Sequence, residues 1–415
     1  MRVAVIGAGI VGACCAVELI RDGHEVTIIE PDAPGGEQAA SHGNGAWISP
    51  ASVVPMSMPG LWRKLPGYLA DRNGPLTLQA TALPALLPWL IRFLRAGRSE
   101  ARVRATAAEL ARLLADAPAR HRALAEEAGV ARLIESKGLL YAFADRAAFE
   151  AEALAWRLRR DNGVAWQELD AARLRALLPM LGPGYGLGIL VGSGAHCRDP
   201  SAYVAALVGL ATGRGARLAR ARAVGFERVA GRLGAVATSA GPIPCDRAVI
   251  AAGIGSKALA RAAGDRVFLE SERGYHAILP DPGFELPLPV MPADGKMANT
   301  PTDAGLRLAG QVELASPGAP PDWRRAALLV GHAARAYPAL CAPPEFKRWM
   351  GHRPSTPDGL PVVGMATGCA GVIHAFGHGH VGLAAAPITG RIVADAVRSA
   401  ATLEGFRRLG PGRFA

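Results

Sequence analysis

Residues 2–12 read RVAVIGAGIVG, and this stretch decides the fold of the chain. The apolar run Arg2–Ile6 predicts a buried strand, and the apolar spacing from Ile10 to Arg21 predicts a helix directly after it. A second apolar strand follows and ends at Glu30. A strand, a glycine turn and a helix in this order, with an acidic residue ending the next strand, form the fingerprint of a dinucleotide-binding unit.

The three glycines of this turn have separate physical roles. Gly7 permits the tight turn, Gly9 lets the backbone approach a diphosphate, and Gly12 lets the helix pack closely on the strand. The helix then points its positive dipole end at the diphosphate. Glu30 accepts hydrogen bonds from ribose hydroxyls and repels a 2′-phosphate, which favours FAD or NAD over NADP. We expect cofactor contacts from Gly7, Ala8, Gly9, Ile10, Val11, Gly12 and Glu30.

Composition excludes several classes of protein. The 415 residues carry a formal net charge of +11, and half of them are hydrophobic, which excludes a disordered chain. The basic residues are mostly arginines mixed with acidic residues and lack interleaved aromatic residues, so we expect no nucleic-acid partner. The six cysteines form no CxxC pair, so we expect neither a zinc site nor another metal site.

The N-terminal strand begins at once, with no leader in front of it. No run of about 18 apolar residues occurs, so we expect no membrane-spanning helix and a cytoplasmic protein. The apolar and basic segment 83–120 leaves open a peripheral contact with the inner face of the cytoplasmic membrane, although a helix packed on the core explains it as well.

The rest of the chain is expected to be mixed in structure. Residues 31–60 are rich in Gly, Pro and Ser and read as irregular, whereas 80–160 has helical periodicity. Pro200 to Ala211 reads as a helix capped by Asp199. Residues 265–330 alternate short apolar runs with turns, as antiparallel strands do.

A late strand supports FAD over NAD. Residues 247–256 read RAVIAAGIGS, a buried strand that ends in Ala-Ala-Gly. In flavoproteins with two dinucleotide-binding folds, such a segment passes near the first glycine turn. We therefore expect Ala252 and Gly253 to contact the cofactor.

Three further segments and a short motif carry a resemblance to a known family. Residues 41–50 read SHGNGAWISP, 351–364 read GHRPSTPDGLPVVG, and 376–383 read FGHGHVGL. Together with the run Arg273-Gly-Tyr275, they resemble the D-amino acid dehydrogenase branch of the glycine/D-amino acid oxidase flavoproteins. The resemblance extends in order over nearly the whole chain.

This resemblance implies FAD as the cofactor and an α/β fold. A two-dinucleotide-fold, Rossmann-type FAD-binding domain would be built from residues 1–50, 196–260 and 350–415. A discontinuous α+β substrate domain on a mostly antiparallel sheet would take residues 51–195 and 261–349.

The resemblance also implies further cofactor contacts. Ser41, Asn44 and Gly45 would lie beside the diphosphate and the flavin ring, and the backbone of Val224 would hold the adenine. Reduced flavin gathers negative charge at its pyrimidine edge, where a glycine-rich helix start offers N–H donors and a positive dipole end. The residues expected there are Gly377, His378, Gly379, His380, Val381, Gly382 and Leu383.

Arg353 is the expected substrate anchor. An amino acid presents a carboxylate, which the planar guanidinium matches with two parallel donors. Arg353 also lies in the segment that resembles the family's carboxylate-binding segment. Tyr275 is expected to add its hydroxyl to the same carboxylate, and His352 and Trp47 to shape the pocket.

The resemblance implies oxidation of a small-molecule D-amino acid, including D-proline or hydroxy-D-proline. Hydride transfer from the α-carbon to flavin N5 would yield the imine and then the 2-oxo acid. The sequence leaves the electron acceptor open between a quinone, a partner protein and oxygen. It also leaves open a glycine- or sarcosine-type secondary amine oxidase, a non-catalytic FAD-binding sensor or scaffold subunit, and an NAD-dependent dehydrogenase.

Overall fold

The structure is a computed structural model that describes residues 1–414 except 64–66, 68–70, 72, 73, 75, 230 and 344. Its α-helices are α1 (Ile10–Arg21), α2 (Leu83–Ala96), α3 (Glu100–Leu114), α4 (Ala117–Glu127), α5 (Arg146–Glu150), α6 (Ala153–Asp161), α7 (Ala171–Leu177), α8 (Pro200–Gly213), α9 (Ser256–Ala262), α10 (Arg324–Ala336) and α11 (Gly382–Arg398).

The strands, in chain order, are β1 (Arg2–Ile6), β2 (Glu25–Ile29), β3 (Trp47–Ile48), β4 (Leu76–Leu78), β5 (Ile134–Glu135), β6 (Leu139–Phe143), β7 (Gln167–Leu169), β8 (Leu187–Val191), β9 (Ala195–Cys197), β10 (Arg217–Ala219), β11 (Ala223–Val229), β12 (Arg232–Thr238), β13 (Ile243–Pro244), β14 (Arg247–Ile250), β15 (Glu270–Leu279), β16 (Val290–Pro292), β17 (Ala298–Thr302), β18 (Gly305–Leu314), β19 (Lys347–Ser355), β20 (Val362–Met365) and β21 (Val372–Phe376).

The first sheet is the predicted dinucleotide-binding unit. Its described strands follow the order β10-β2-β1-β14-β21-β20, and the pairs are parallel except that β20 runs antiparallel to β21. The apolar runs of β1, β2 and β14 are buried, as expected for parallel strands covered on both faces. Helices α1 and α11 pack together in the same core. The predicted order of strand, turn, helix and strand is confirmed.

The second large sheet is mostly antiparallel, as predicted. Its described strands follow the order β19-β15-β18-β17-β16-β6-β8-β7, with β4 beside β18. The parallel pairs are β16 with β6 and β4 with β18. Strand β19 pairs with β15 along nine registered positions. The domain boundary that we predict at residue 350 therefore falls inside a strand of this sheet.

Helix α10 was not expected, because residues 265–330 read as strands. It begins at Arg324, within that segment. Ala326, Leu329 and Ala333 are buried, a spacing of three and four residues that places them on one helix face. This face packs against β15 and β18.

Segment 83–120 forms helices α2 and α3 and the start of α4. Helix α2 buries Leu86 and Trp89, whereas Leu87 is 50% exposed. The indole nitrogen of Trp89 donates a hydrogen bond to the carbonyl oxygen of Ser355, 3.0 Å away, which ties α2 to the end of β19. In the described parts of the chain, we find no helix with both the length and the apolar character needed to cross a bilayer.

The N-terminus of α8 agrees with its predicted cap. The Asp199 carboxylate accepts hydrogen bonds from the backbone nitrogens of Ser201 and Ala202, both at 3.0 Å. This satisfies two amides that lack partners inside the helix.

Candidate active site

A cavity of about 1630 Å³ is lined by residues of both large sheets. Pockets for drug-sized ligands occupy roughly 300–1000 Å³, so this cavity has room for a dinucleotide together with a small substrate. Its wall includes the glycine turn, the 41–45 segment, the 251–255 segment, β15 and β19, and the 377–383 segment. A second cavity of about 190 Å³ shares Trp47, Tyr141 and Glu272 with the first.

The glycine turn after β1 leaves no room for a side chain at Gly7 or Gly12. Gly7 has a φ of +104°, and a Cβ atom there would lie 2.5 Å from the carbonyl oxygen of Ala251. A Cβ atom on Gly12 would lie 1.9 Å from the carbonyl oxygen of Gly7. Only glycine therefore permits this close approach of strand, turn and helix. Ala8 and Gly12 are buried behind the wall that Gly7, Gly9, Ile10 and Val11 form.

Two side chains fix the amides of this turn. The Glu30 carboxylate accepts a hydrogen bond from the backbone nitrogen of Ala8 at 2.8 Å. The Ser41 hydroxyl accepts one from the backbone nitrogen of Ile10 at 3.0 Å. Both Glu30 and Ser41 line the cavity at the start of α1. The structure thus brings Glu30 and Ser41, both predicted cofactor contacts, together at the start of α1.

The cavity wall beside the glycine turn also includes β11 and the segment after β14. Val224 lines the cavity and is 62% exposed. Ala252 and Gly253 line the cavity nearby. These positions suit a flat apolar group such as adenine.

The 41–46 segment is held by hydrogen bonds within itself and to the second sheet. The Asn44 amide donates to the carbonyl oxygen of Ser41 at 2.7 Å and accepts from the Ala46 nitrogen at 2.6 Å. Arg307, from β18, donates to the carbonyl oxygens of His42 and Asn44 at 2.8 and 3.1 Å. Burial lowers the pKa of the Arg307 guanidinium to about 10, so it stays charged at neutral pH.

Arg307 is a functional residue that the sequence alone does not reveal. It lies 263 positions from Asn44, and no local pattern marks it among many arginines. Gly45, the last glycine of this segment, lines the cavity beside Trp47.

Two buried histidines hold the start of α11. His378 donates from Nε2 to the Thr389 hydroxyl at 3.0 Å, and burial lowers its pKa to about 4. His121, which the sequence analysis missed, donates from Nε2 to the carbonyl oxygen of Leu383 at 2.8 Å. Burial also lowers the pKa of His121 to about 4. Both imidazoles are therefore neutral near pH 7 and position the 377–383 segment. Gly377, Gly379 and Gly382 line the main cavity, and Val381 lines the smaller one.

Arg353 lies on the cavity wall in a defined orientation. Its guanidinium donates to the carbonyl oxygen of Gln311 at 3.0 Å and to that of Gly310 at 3.4 Å. It also packs flat on Gly274, where a Cβ atom would lie 2.3 Å from the Arg353 Cζ. Burial lowers the pKa of Arg353, while the charge of Glu272 opposes this.

A β-bulge supplies these carbonyl oxygens. The register between β15 and β18 shifts between Arg273 and Tyr275, which pair with Glu313 and Gly310. Gln311 lies in this irregular stretch with a φ of +61°, in the left-handed region that non-glycine residues rarely adopt. Strained backbone of this kind clusters at functional sites. The bulge frees two carbonyl oxygens to bind Arg353.

Tyr275 does not lie where we expected it. Gly274 lines the cavity, and successive residues of a strand point to opposite faces. Tyr275 is buried in the core on the other face, with its hydroxyl donating to Glu313 at 2.6 Å and accepting from the Asp322 nitrogen at 2.9 Å. Burial raises its pKa. This placement contradicts a direct contact between Tyr275 and a substrate carboxylate.

His352 and Trp47 border the cavity in different ways. His352 pairs across the strands with Arg273, and its Nδ1 is hydrogen-bonded to the Ser271 hydroxyl at 2.8 Å, so its ring lies on the opposite face from Arg353. Trp47 donates from its indole nitrogen to the Thr300 hydroxyl at 3.0 Å. The Trp47 ring is edge-on to Tyr141, and both rings line the cavity.

The residues present fit FAD. The glycine turn offers backbone amides and the start of α1 to a diphosphate, and Glu30 directly follows β2 beside it. The start of α11 lines the same cavity, so one elongated ligand could contact both helix starts. The cavity then continues past this second helix start to Arg353 and Trp47.

Comparison with known proteins agrees with this geometry. The family model for the FAD-dependent oxidoreductases called DAO matches residues 2–396. A Bradyrhizobium diazoefficiens protein named D-amino-acid oxidase is 49% identical over 397 residues, which cover 95% of this chain and 94% of that protein. A Phenylobacterium zucineum protein named D-amino acid dehydrogenase is 30% identical over 404 residues, which cover 96% of this chain and 94% of that protein.

Solved structures share the fold. The L-proline dehydrogenase of P. horikoshii superposes with a TM-score of 0.72 at 19% identity and covers 100% of this chain and 97% of that chain. Glycine oxidase from Bacillus cereus superposes with a TM-score of 0.69 at 18% identity and covers 96% and 94%. The family match and the two relatives at 49% and 30% identity identify the cofactor as FAD and the chain as an enzyme that belongs to the DAO family of FAD-dependent oxidoreductases.

Proposed function

We propose that this enzyme oxidises a D-amino acid to its imine, which water then converts to the 2-oxo acid and ammonia. The observation that carries the proposal is Arg353, a guanidinium oriented by two backbone carbonyls on the wall of the cavity that also contains the glycine turn. An oriented guanidinium in a substrate-sized space suits a carboxylate. The 49% identical relative is named for the same substrate class.

The roles of the chain follow from where its residues lie. We assign the FAD contacts to residues that all belong to the predicted FAD-binding domain. They are the glycine turn, Glu30, the 41–45 segment, Val224, Ala252 with Gly253, and the 377–383 segment. FAD, when bound there, would supply the two-electron acceptor that oxidation of the substrate requires. Arg353 holds the carboxylate so that the α-carbon keeps one orientation.

The pocket walls around Arg353 are mainly apolar. Trp47, Tyr141 and Met291 line both cavities, which suits the side chain of an amino acid. A ring imino acid such as D-proline or hydroxy-D-proline meets the same requirements, and its imine would stay cyclic.

The test is reduction of the flavin under nitrogen. The FAD-loaded protein is mixed with D- and L-amino acids, D-proline, glycine and sarcosine, and the loss of flavin absorption is followed. We expect D-amino acids to reduce the flavin fastest. Fastest reduction by glycine or sarcosine would favour a secondary amine oxidase, and a flavin that no amine reduces would favour a sensor or scaffold.

Substitution of Arg353 tests the anchor. Arg353→Leu should retain FAD but raise the substrate concentration for half-maximal flavin reduction by about 100-fold, because a charge-assisted, bidentate contact is lost. Arg348→Leu is the matched control, because Arg348 lies exposed on the same strand and stacks on Trp323. An unchanged concentration dependence in Arg353→Leu would remove Arg353 from this role.

The electron acceptor requires a separate measurement. Reoxidation of the reduced protein by air with stoichiometric hydrogen peroxide would assign an oxidase. Slow reoxidation by air but fast reoxidation by a soluble quinone would assign a dehydrogenase.

A further inference from the structure

Glu272 is a buried carboxylate on the wall of the active-site cavity. It is 5% exposed and lines both the main and the smaller cavity. In the register of β15 and β19, Glu272 pairs directly with Arg353. Paired residues of neighbouring strands lie on the same face, with Cβ atoms about 4.5–5.5 Å apart. A buried anion and a buried cation therefore face the cavity side by side.

These two charges do not neutralise each other directly. The side chain of Glu272 is hydrogen-bonded to His380, whose Nε2 donates to Oε2 at 2.7 Å. The guanidinium of Arg353 instead donates to the backbone carbonyls of Gln311 and Gly310. Burial alone would raise the pKa of Glu272, but the hydrogen bonds from His380 and Ser355 and the charge of Arg353 lower it overall. Glu272 is thus an anion at neutral pH.

A role limited to charge balance does not explain this arrangement. An arginine and a carboxylate that only compensate each other while buried gain most from a direct, two-point contact. Here the bulge of β18 turns the guanidinium towards backbone oxygens, and His380 takes one oxygen of the carboxylate. The result is a pair of opposite charges that share one wall.

An amino acid has the complementary pattern of charges, a carboxylate and an ammonium on the same carbon. We propose that Glu272 receives the α-ammonium group of the substrate while Arg353 receives its carboxylate. This inference rests on the proposed function. It adds that the site recognises the zwitterion through two residues, and that it selects amino acids over carboxylates without an amino group.

His380 is the positioning residue of this pair. It lies in the segment before α11, and its side chain is partly exposed. It donates to Oε2 of Glu272, so that in our proposal Oε1 receives the ammonium group, with the Ser355 hydroxyl beside the same carboxylate. Its contact also ties the 377–383 segment to β15. A purely structural role would consist of this tie alone, and the experiment must separate the two roles.

The test uses two ligands that the enzyme cannot oxidise to an imine. 2-Aminoisobutyrate is an amino acid with no α-hydrogen, and 2-methylpropanoate has the same carbon skeleton with hydrogen in place of the amino group. Binding of each to the FAD-loaded protein is measured by calorimetry, so that no turnover is needed. In the wild-type protein, 2-aminoisobutyrate should bind more tightly.

The substitution Glu272→Gln should weaken binding of 2-aminoisobutyrate by about tenfold or more, because a charge-assisted hydrogen bond is lost. Binding of 2-methylpropanoate should stay within about twofold or become tighter, since a neighbouring negative charge is removed. Glu270→Gln is the matched control, because Glu270 lies two residues away on the same strand and pairs with Lys257 at 2.5 Å. It should change neither affinity.

Two results would overturn the proposal. If Glu272→Gln weakens binding of both ligands equally, the role of Glu272 is structural. If binding of both ligands is unchanged, Glu272 does not contribute to ligand binding. If Glu272→Gln does not retain FAD, Glu272→Asp replaces it, and only a selective loss of 2-aminoisobutyrate supports the proposal. His380→Gln should keep the preference for the amino acid. Flavin reduction by D-alanine is measured separately and tests the proposed function. The two binding constants test the role of Glu272, and they can be measured even if D-alanine does not reduce the flavin.

Discussion

The two ends of the cavity are built in different ways. At the FAD end, the glycine turn, Glu30 and the start of α1 come from one continuous stretch of 30 residues, and the backbone itself defines the shape. At the substrate end, Arg353, Glu272 and the bulge at Gln311 come from three strands that lie far apart in the sequence. One end depends on the absence of side chains, and the other depends on how strands pair.

The largest effect is expected at the FAD end. Gly7→Ala places a Cβ atom 2.5 Å from a backbone oxygen at a φ of +104°, so the turn must open. We expect purified Gly7→Ala to contain almost no FAD and to lose the increase in melting temperature that added FAD gives. Absorption spectra and thermal unfolding measure this.

Gly209→Ala is the matched control, because a Cβ atom on Gly209, inside α8, meets nothing within 4 Å. Full FAD content in Gly7→Ala would contradict the view that the backbone defines this end.

A glycine substitution at the substrate end should separate the two ends. Gly274→Ala places a Cβ atom 2.3 Å from the guanidinium carbon of Arg353 and must displace that side chain. We expect FAD content to stay normal while 2-methylpropanoate binds about tenfold or more weakly, because its charged partner moves. Calorimetry on the FAD-loaded variant measures this, again with Gly209→Ala as the control. Loss of FAD together with the ligand would show that the two ends are not independent.

The smallest expected effect concerns His378, in the 377–383 segment, and the way in which it makes the free energy of unfolding depend on pH. Its pKa in the folded protein is about 4, below the ordinary value of 6.5, so the unfolded chain binds the proton more readily. The stability that neutral His378 provides is complete above about pH 6.5 and falls as the pH decreases towards 4. Each such group changes the free energy of unfolding by up to about 1.4 kcal/mol per pH unit.

The variant His378→Gln keeps a donor for Thr389 and has no proton to gain. Urea unfolding at pH 7 and pH 5 should therefore show a smaller loss of stability in the variant than in the wild-type protein. Equal losses in both proteins would contradict a buried, neutral His378.

The same contrast explains what the sequence could predict. Local spacing predicts the strand, turn and helix at the N-terminus and the acidic residue after β2. The spacing of apolar residues and the positions of glycines determine these elements within a few residues. Asp199 as a helix cap is local in the same way. The sequence does not reveal helix α10, because the strand-like pattern of residues 265–330 continues past Arg324, where the helix begins.

The substrate end could be predicted only in part. Arg353 was identified through a resemblance, and the cavity wall does contain it. Tyr275 was misplaced because the face of a strand residue depends on register, and the bulge opposite Gly274 cannot be read from β15 alone. Glu272 and Arg307 were missed because each acts on a partner on another element, and neither belongs to a local motif.

The bulge at Gln311 has a consequence for changing the substrate range. The carboxylate anchor is held by main-chain oxygens, which no side-chain exchange in the wall removes. Trp47, Tyr141 and Met291 can therefore be substituted to admit bulkier or smaller amino acids while the guanidinium of Arg353 keeps its orientation. Deleting Gln311 from β18 would have the opposite effect, since it would remove the bulge whose carbonyl oxygens orient Arg353.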